Sequence, residues 1–286
     1  MVAPYNSAEM SSPSLRTRRP IGPHQVLESL LANRGIVAKM ARREIIDRYR
    51  GSVLGLLWSF FNPVAMLAIY TFVFSVVLKT TWPSSGGTIE YAINLFAGLI
   101  VFSLFSEPVT RAPSLMLQNP NLVKKVVFPL EVIPWVALAS SAFHAAVSYV
   151  VLLGAALIVL GSIHPAAFLV PVLVLPVMLL ALGITWFLAS MGVFLRDLTH
   201  TVGIAVTALM FVSPVFYPLA AIPESGRRFL ALNPLAPLIE QARAMALIGT
   251  LPDFTHWLVL LVASFLVAWA GLWWFMRTKH AFADVV

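Results

Sequence analysis

Long stretches without a charged residue determine what this chain can fold into. Five of them contain no Asp, Glu, Lys or Arg: Val53–Leu78, Tyr91–Ser106, Val132–Leu195, Leu198–Pro223 and Phe254–Met276. A helix needs roughly 20 apolar residues to cross the hydrocarbon core of a bilayer. The third stretch is long enough for two crossings and contains the turn-forming sequence GSIHP at 161–165. We therefore predict six transmembrane helices.

The composition indicates that lipid surrounds most of the chain. Charged residues make up 11% of the 286 residues and hydrophobic residues 59%, whereas about 25% of the residues of a soluble domain are charged. The predicted fold class is an all-α polytopic membrane protein. The chain has no cysteine, which excludes disulfides, zinc–thiolate sites and thiol nucleophiles.

The basic residues predict the orientation. Six crossings place both termini on one side of the membrane. If that side is the cytoplasm, only Lys79, Arg227, Arg228 and Arg243 of the 19 Lys and Arg residues face outward, in agreement with the positive-inside rule. The net charge of +7 then reflects membrane orientation, and we expect no nucleic-acid partner.

The region before the first span has two parts. Residues 1–25 are rich in Ser, Pro and Arg and lack a long apolar core, which predicts a disordered cytoplasmic tail and not a signal peptide. Residues 26–52 are predicted to form an amphipathic interface helix along the inner leaflet. Its features are an apolar row at Val37, Ala41, Ile45 and Tyr49, ion pairs Arg43–Asp47 and Glu44–Arg48, and the basic residues Arg42, Arg43, Arg48 and Arg50. The alternative is a juxtamembrane flank without a partner.

Residues 107–131, between the second and third spans, are unusually polar and proline-rich for this chain. We predict a helix over Thr110–Gln118 and a second short helix over Asn121–Phe128. The apolar residues Leu115, Leu122, Val126 and Val127 lie next to Lys124 and Lys125. Such a segment can dock into a soluble partner and pass its motion to the spans. A solvated loop whose lysines only set the topology is an equally good interpretation of the residues alone.

An outer segment, residues 224–250, follows the fifth uncharged stretch, in which Pro214, Pro218 and Pro223 interrupt the helix. We predict two short re-entrant helices, Arg227–Leu232 and Pro237–Ile248, in the outer leaflet. Asn233 would cap the second helix, and Glu240 and Arg243 would pair at i, i+3. An ordinary outer loop is the alternative.

The sequence lacks the motifs of common enzymes, nucleotide-binding proteins and metal-binding proteins. It contains no P-loop, HExxH or GxSxG motif, and its scattered histidines predict no metal site. His144, in the third span, is expected to make a helix–helix hydrogen bond. No ionisable residue lies near the middle of a predicted span, which argues against proton or sodium coupling and against an embedded enzyme. The energy source must therefore lie in another chain.

Four blocks of sequence resemble the type-2 ABC exporter permeases that move polysaccharides across the inner membrane (Wzm- and TagG-like proteins). They are RREIIDRYRGSVLGLLWSFFNPVAMLAIYTFVF (42–74), NLVKKVVFPLEVIP (121–134), GVFLRDLTH (192–200) and LNPLAPLIEQAR (232–243). The blocks occur in the order of the family, and the resemblance covers the chain from about residue 27 onward. Residues 1–25 lie outside it.

The resemblance implies a homodimer with a channel along the dimer axis and two separate ATPase subunits. These subunits would bind the ATP and Mg²⁺. This chain itself is therefore expected to hold no cofactor. It divides the chain into a permease domain (53–276), with its coupling segment (107–131) and gate helices (224–250), and a cytoplasmic C-terminus (277–286). The implied site residues are Arg111, Ser114, Leu115, Gln118, Asn121, Leu122, Lys124 and Lys125 for ATPase coupling, Arg42, Arg43, Arg48 and Arg50 in the interface helix, Arg196 and Asp197 in the inner loop, and Asn233, Glu240 and Arg243 at the outer gate.

Aromatic residues make up 12% of the chain and suggest a path along which sugar rings slide. The candidates are Trp58, Phe61, Tyr70, Phe74, Phe102 and Phe105. Each of them could instead be a membrane-belt or packing residue. The resemblance implies a lipid-linked glycan as substrate, such as an O-antigen, a teichoic acid or a galactan. An ABC-2 exporter of drugs or small lipids is the main alternative, followed by an enzyme acting on polyprenyl-linked sugars and an energy-independent channel.

Overall fold

The computed structural model describes residues 22–82, 88–124, 128–224, 226 and 232–285. Within these ranges the chain forms helices and turns and no strand. The helices are α1 (Gln25–Asp47), α2 (Trp58–Thr71), α3 (Thr88–Arg111), α4 (Pro120–Val123), α5 (Val132–Leu160), α6 (Val170–Leu173), α7 (Leu175–Phe194), α8 (Leu198–Val212), α9 (Leu235–Arg243), α10 (Phe254–Thr278) and α11 (Phe282–Val285). The tail predicted for residues 1–25 falls almost entirely outside the described ranges, as do most of the predicted helix Arg227–Leu232 and residues Lys125, Val126 and Val127.

Short 3₁₀ or π turns extend several helices into longer rods. The described residues contain five rods that are long and apolar enough to cross a membrane: Gly55–Val77, Thr88–Ser114, Val132–Leu160, Pro165–Phe194 and Phe254–Val285. They correspond to the predicted first, second, third, fourth and sixth spans. The chain is thus an all-helical, multi-pass membrane protein.

The predicted fifth span, Leu198–Pro223, is helical only as far as Val212. Ser213 then adopts an extended backbone conformation, and Pro214 and Pro218 follow, whose rings cannot continue a helix. The 15 residues of α8 measure about 22 Å, which is shorter than the roughly 30 Å hydrocarbon core. The helix is therefore shorter than the charge-free stretch, and it ends just before Pro214, where the prolines were predicted to interrupt it.

The division of the longest uncharged stretch into two spans is confirmed. Helix α5 ends at Leu160, and Gly161 adopts the left-handed conformation with φ of 76°, which costs glycine little. His164 is extended, and Pro165 begins the next rod. The predicted turn GSIHP accounts for this reversal.

Helix α3 forms the centre of the bundle. Of the most apolar 18-residue window of its rod, 67% is buried inside the chain, whereas the same measure is 0% for Gly55–Val77. Helix α3 also continues to Arg111 and a 3₁₀ turn at Ala112–Ser114. The separate helix predicted over Thr110–Gln118 is therefore wrong, because its first residues complete α3.

Two glycines allow α7 and α10 to cross closely. A Cβ atom added to Gly183 would lie 2.6 Å from the carbonyl oxygen of Val267, and one added to Gly271 would lie 2.8 Å from the carbonyl carbon of Gly183. Small residues let helix backbones approach in this way in membranes, where van der Waals packing drives association.

Candidate functional site

A groove of about 570 Å³ lies between α1 and the segment that follows α3. We call it the α1 groove and the part of the bundle around it the α1 end. Leu115 and Leu122 contribute apolar surface to it. Its charged and amide lining comes from Arg43, Glu44, Asp47, Arg111, Gln118, Asn119 and Asn121. Surfaces that bind another protein combine apolar and polar residues in this way.

Two ion pairs join α1 to the end of α3. Arg111 Nη1 donates a hydrogen bond to Glu44 Oε1 over 2.7 Å, and Arg48 Nη2 donates to Glu107 Oε1. Burial lowers the pKa of Arg48, but the hydrogen bond and the negative charge of Glu107 outweigh it, so the pKa of Arg48 is raised. The predicted Glu44–Arg48 pair is wrong, because each residue pairs with an oppositely charged residue of α3.

Helix α1 ends at Asp47 and not at Ser52 as predicted, but the predicted Arg43–Asp47 pair and part of the predicted apolar row are present. Arg43 and Asp47 pair at 3.3 Å, with 82% and 42% of their side chains exposed, and Arg42 and Arg50 are also exposed. In the apolar row, Val37 and Ala41 are buried. Helix α1 therefore turns a basic surface outward and packs its apolar row against the bundle.

His144 of α5 forms hydrogen-bond contacts that connect α5 to Tyr49, which follows α1. Nε2 of His144 lies 2.9 Å from the hydroxyl oxygen of Tyr49, and Nδ1 lies 2.7 Å from the carbonyl oxygen of Ser140. Both ring nitrogens are thus engaged, as predicted for a histidine that links helices.

The segment after α3 is anchored by buried residues and exposes polar ones. Leu115 and Met116 are buried, with 3% and 0% exposure. Leu115 was predicted to belong to the apolar part of a docking segment, but its burial leaves it little surface to offer a partner, whereas Leu117 is exposed. The exposed side chains of the segment are Leu117, Gln118, Asn121 and Lys124, and Leu122 is half-buried.

Side-chain hydrogen bonds fix the shape of the same segment. Ser114 Oγ donates to the carbonyl oxygen of Arg111 over 2.9 Å and accepts from Gln118 Nε2 over 3.0 Å. Asn119 Nδ2 donates to the carbonyl oxygen of Leu115 over 2.9 Å. These bonds add to the backbone hydrogen bonds that continue beyond α3, such as the bond from the amide of Gln118 to the carbonyl oxygen of Ser114.

The turn at Ala112–Ser114 packs directly on α7. A Cβ atom added to Gly192 would lie 2.5 Å from Cα of Pro113, so only glycine permits this approach. Arg196 and Asp197 follow α7 in an exposed turn. The segment after α3 and this turn therefore lie at the same end of the bundle, as the sequence predicted.

Both ends of the described chain meet at the start of α5. Trp135 Nε1 donates to Ser29 Oγ in α1 over 3.0 Å. Lys279 Nζ lies 3.4 Å from Glu131 Oε2, which immediately precedes α5. Helix α1 and the end of α10 thus share the α1 end.

A buried arginine organises the opposite end of the bundle, which we call the α9 end. Arg243 is 2% exposed. Its Nε donates to the carbonyl oxygen of Asn94 over 2.9 Å, and its Nη2 donates to those of Pro214 and Val215 over 3.1 and 3.2 Å. The last two carbonyls lie beyond the end of α8, where the helix can no longer satisfy them. Arg243 therefore stabilises the break that follows α8.

Two neighbours balance the charge of Arg243. Glu240 accepts a hydrogen bond from Nη1 over 3.2 Å, and the Trp82 ring lies 4.6 Å from the guanidinium carbon. Burial lowers the pKa of Arg243, and Glu240 opposes that change. The i, i+3 pair was predicted, but the burial of Arg243 was not, because no local pattern indicates it.

Asn233 connects the α9 end to the residue after α8. Its Oδ1 accepts from the amide of Leu235 over 3.0 Å, and its Nδ2 donates to Ser213 Oγ over 2.9 Å. Asn233 thus acts at the helix start as expected, although α9 begins at Leu235 and not at Pro237.

The candidate aromatic residues fall into two groups. Trp58 and Phe61 are 44% and 45% exposed, whereas Phe102 and Phe105 are each 4% exposed and belong to the core of the chain. Tyr70 and Phe74 are half-buried, and Phe74 stacks on Tyr91 at 5.1 Å between ring centroids. Phe102 and Phe105 therefore offer almost no surface to a passing ligand in this structure, although they were predicted as candidates for the path of the sugar rings.

The structure adds functional candidates that the sequence did not single out. Glu107 and Glu131 hold basic residues at the α1 end, while Trp82 and Asn94 surround Arg243. Glu107 and Glu131 could have been found from the sequence, since each borders an uncharged stretch on the side of the membrane where most Lys and Arg residues lie. Among the described residues, no group of three or more His, Cys, Asp or Glu could hold a metal ion.

Comparison with known proteins places this architecture in a family. The model of the ABC-2 type transporter family matches residues 37–247, which include the second half of α1, the α1 groove and α9. The O-antigen export system permease protein RfbA of Myxococcus xanthus is 31% identical over 266 residues, covering 92% of this chain and 99% of the relative.

Two further relatives have related names. The O-antigen export system permease protein RfbA of Klebsiella pneumoniae is 26% identical over 88% of this chain and 95% of its own length. The polysialic acid transport protein KpsM of Escherichia coli is 27% identical over 74% of this chain and 81% of its own length. With a family model that covers most of the chain and a relative that matches nearly its full length, this protein belongs to the ABC-2 type transporter family.

Proposed function

We propose that this chain is the permease subunit of an ATP-driven exporter that moves a lipid-linked polysaccharide from the cytoplasmic to the outer side of the inner membrane. The relatives are named for O-antigen export and polysialic acid transport. The observation that carries the proposal is the α1 groove. It combines exposed polar residues with a rigid connection to the central helix α3, as a receiver of motion from a soluble partner requires.

In this proposal two ATPase subunits dock at the α1 end and bind the ATP and Mg²⁺. Their contacts would be the exposed residues Leu117, Gln118, Asn121 and Lys124, with Arg196 and Asp197 nearby. Displacement of this surface would reach α3 through the continuous backbone. It would reach α7 through the close contact of Pro113 with Gly192.

The proposal includes six crossings with both termini in the cytoplasm. Ser29 and Lys279 both contact the start of α5, which supports an arrangement with both ends of the described chain on one side and an even number of crossings. Five rods span by length, and α8 with the residues after it would supply the sixth crossing. The carbonyls of Pro214 and Val215, which this broken crossing exposes, are those that Arg243 binds.

A second copy would complete the channel. The most apolar window of the first rod is not buried at all inside one chain, and Val202 is the one buried residue of α8. The first rod and α8 thus offer exposed faces to a partner copy or to a passing substrate. Trp58 and Phe61 lie on this exposed surface, and α9 with its Arg243 network would form the outer gate.

Co-purification from the native membrane tests the docking surface. The triple variant Gln118→Asp, Asn121→Asp and Lys124→Asp changes only exposed side chains and is expected to abolish recovery of the ATPase subunit. The substitution Lys79→Asp makes the same lysine-to-acid change at the opposite end and is expected to leave recovery unchanged. A monodisperse wild-type protein that brings down no ATPase would contradict the proposal.

The proposed substrate class is tested by analysing the surface glycan of a strain from which the gene for this protein has been deleted. Loss of that glycan, with a lipid-linked polymer accumulating in the cytoplasm, is expected. A normal surface glycan together with increased sensitivity to a drug would instead identify an exporter of small molecules.

A further inference from the structure

A second cavity lies within the bundle and shares no lining residue with the α1 groove. It encloses about 330 Å³ between α3, α5, the start of the fourth rod and α9. Its walls are formed mainly by small and branched apolar residues, among them Ala97, Ala145, Leu152, Val170 and Ala246. The cavity thus sits where four separate parts of the chain meet.

The lining offers nothing to water. Tyr149 carries the one hydroxyl among the described residues that line the cavity, and this hydroxyl donates to the carbonyl oxygen of Ala167 over 2.8 Å. A buried water needs two to four polar partners, and apolar cavities of about 150 Å³ stay dry and bind apolar molecules. This larger cavity therefore favours an apolar occupant.

The cavity opens toward the lipid. Ala146, Val150 and Pro171 line it and are also exposed on the outside of the bundle, Val150 to 63%. Ala146 and Val150 lie near the middle of α5, so the opening is within the hydrocarbon layer. At this depth the surrounding medium consists of lipid chains.

We propose that this cavity binds one acyl chain of a bilayer phospholipid, inserted through the opening at Ala146, Val150 and Pro171. Acyl chains are the abundant slender apolar groups at that depth. A bound chain fills the space under α9 and replaces van der Waals contacts that an empty cavity would lose. The proposal rests on the membrane fold and not on the proposed export function.

Photolabelling of the full chain in proteoliposomes tests this site. The probe is a phosphatidylcholine with a diazirine near the middle of one acyl chain. We expect labels on Leu152 and Ala246, which are 1% and 3% exposed and which lipids around the protein cannot reach. Exposed residues such as Ile158, at 86%, report those surrounding lipids in the same sample.

Ala146→Trp is expected to block the opening, so that the labels on Leu152 and Ala246 are lost while the label on Ile158 persists. Ala263→Trp adds the same side chain at an exposed alanine of α10 and is expected to change neither. If Ala146→Trp does not elute as a monodisperse protein, Val150→Trp serves the same purpose.

Absence of label at the deep residues, or label that both blocking variants leave intact, would refute the proposal. Labelling of the deep residues by a diazirine polyprenyl phosphate in preference to the phospholipid would also refute it, because the occupant would then be a lipid carrier.

Discussion

Glu44 of α1 and Arg111 at the end of α3 form an ion pair of 2.7 Å although 67 residues separate them in sequence. Their side chains are 26% and 31% exposed, so the pair is only partly screened by water. Together with Arg48 and Glu107 it fastens the interface helix to the central helix of the bundle. Movement of one helix therefore requires movement of the other or rupture of both pairs.

Reversing one member of this pair should destabilise the contact, and reversing both should restore it. Glu44→Arg places two cations together, and the double variant Glu44→Arg, Arg111→Glu recreates the attraction. We expect a coupling energy of about 1 kcal/mol in a double-mutant cycle of thermal unfolding. The more exposed pair Arg43–Asp47, swapped in the same way, should give a smaller value. Equal coupling in the two cycles would argue against a special role for Glu44 and Arg111.

Arg243 should be among the least replaceable residues of the chain. Arg243→Met removes the cationic partner of Glu240, which keeps the amide of Leu219 as a donor, and one donor from each of three backbone carbonyls. Breaking a buried charge pair costs about 3–5 kcal/mol. Arg243→Lys should recover only part of this loss, since an ammonium lacks the fork that reaches several acceptors. Thermal unfolding in detergent measures both. The control is Arg277→Met, which removes an exposed guanidinium stacked 4.1 Å above Trp273. If the Arg243 variant unfolded no earlier than this control, the bonds described here would have little energetic weight.

Gly192→Ala should separate the segment after α3 from α7. The added methyl group overlaps Pro113, and overpacking of this kind costs about 1–3 kcal/mol. We also expect stimulation of the partner ATPase by substrate to fall, which a coupled hydrolysis assay measures. Gly154→Ala is the matched control, because a Cβ atom there meets nothing within 4 Å. Helix propensity predicts that the control is neutral or slightly stabilising, so an equal loss in both variants would exclude the steric explanation.

Exposed and buried aromatic residues should respond differently to truncation. Phe102→Ala empties part of the core and should lower the free energy of unfolding by about 3–5 kcal/mol. Phe61→Ala removes an exposed ring, so the protein should remain stable while export slows. Unfolding and surface-glycan assays on both variants separate these effects. Normal export by a stable Phe61→Ala protein would remove Phe61 from the proposed path.

The spans could be predicted because hydrophobic length is a local property. The turn at Gly161 was predictable for the same reason, since glycine and proline mark it within five residues. The ion pairs of Glu44 and Arg48 were not, because a helix offers a partner at i, i+4 and only tertiary structure brings α3 closer. The burial of Arg243 was hidden as well, since no local pattern reveals that carbonyls beyond the end of α8 need a donor. Leu115 and Phe102 were misplaced because apolar character alone does not show which face of a helix turns inward.

The contact of Arg243 with Asn94 spans 149 residues, and this separation sets an order of events during synthesis. Ribosomes add about 5–20 residues per second, so roughly 7–30 s pass between the translation of the two residues. Pro214 and Val215 are translated only 29 and 28 residues before Arg243, so for most of that interval neither the break after α8 nor the arginine that satisfies it exists. The α9 end is therefore completed late in translation, and a chain stopped before residue 243 would lack the guanidinium that joins α3, the end of α8 and α9.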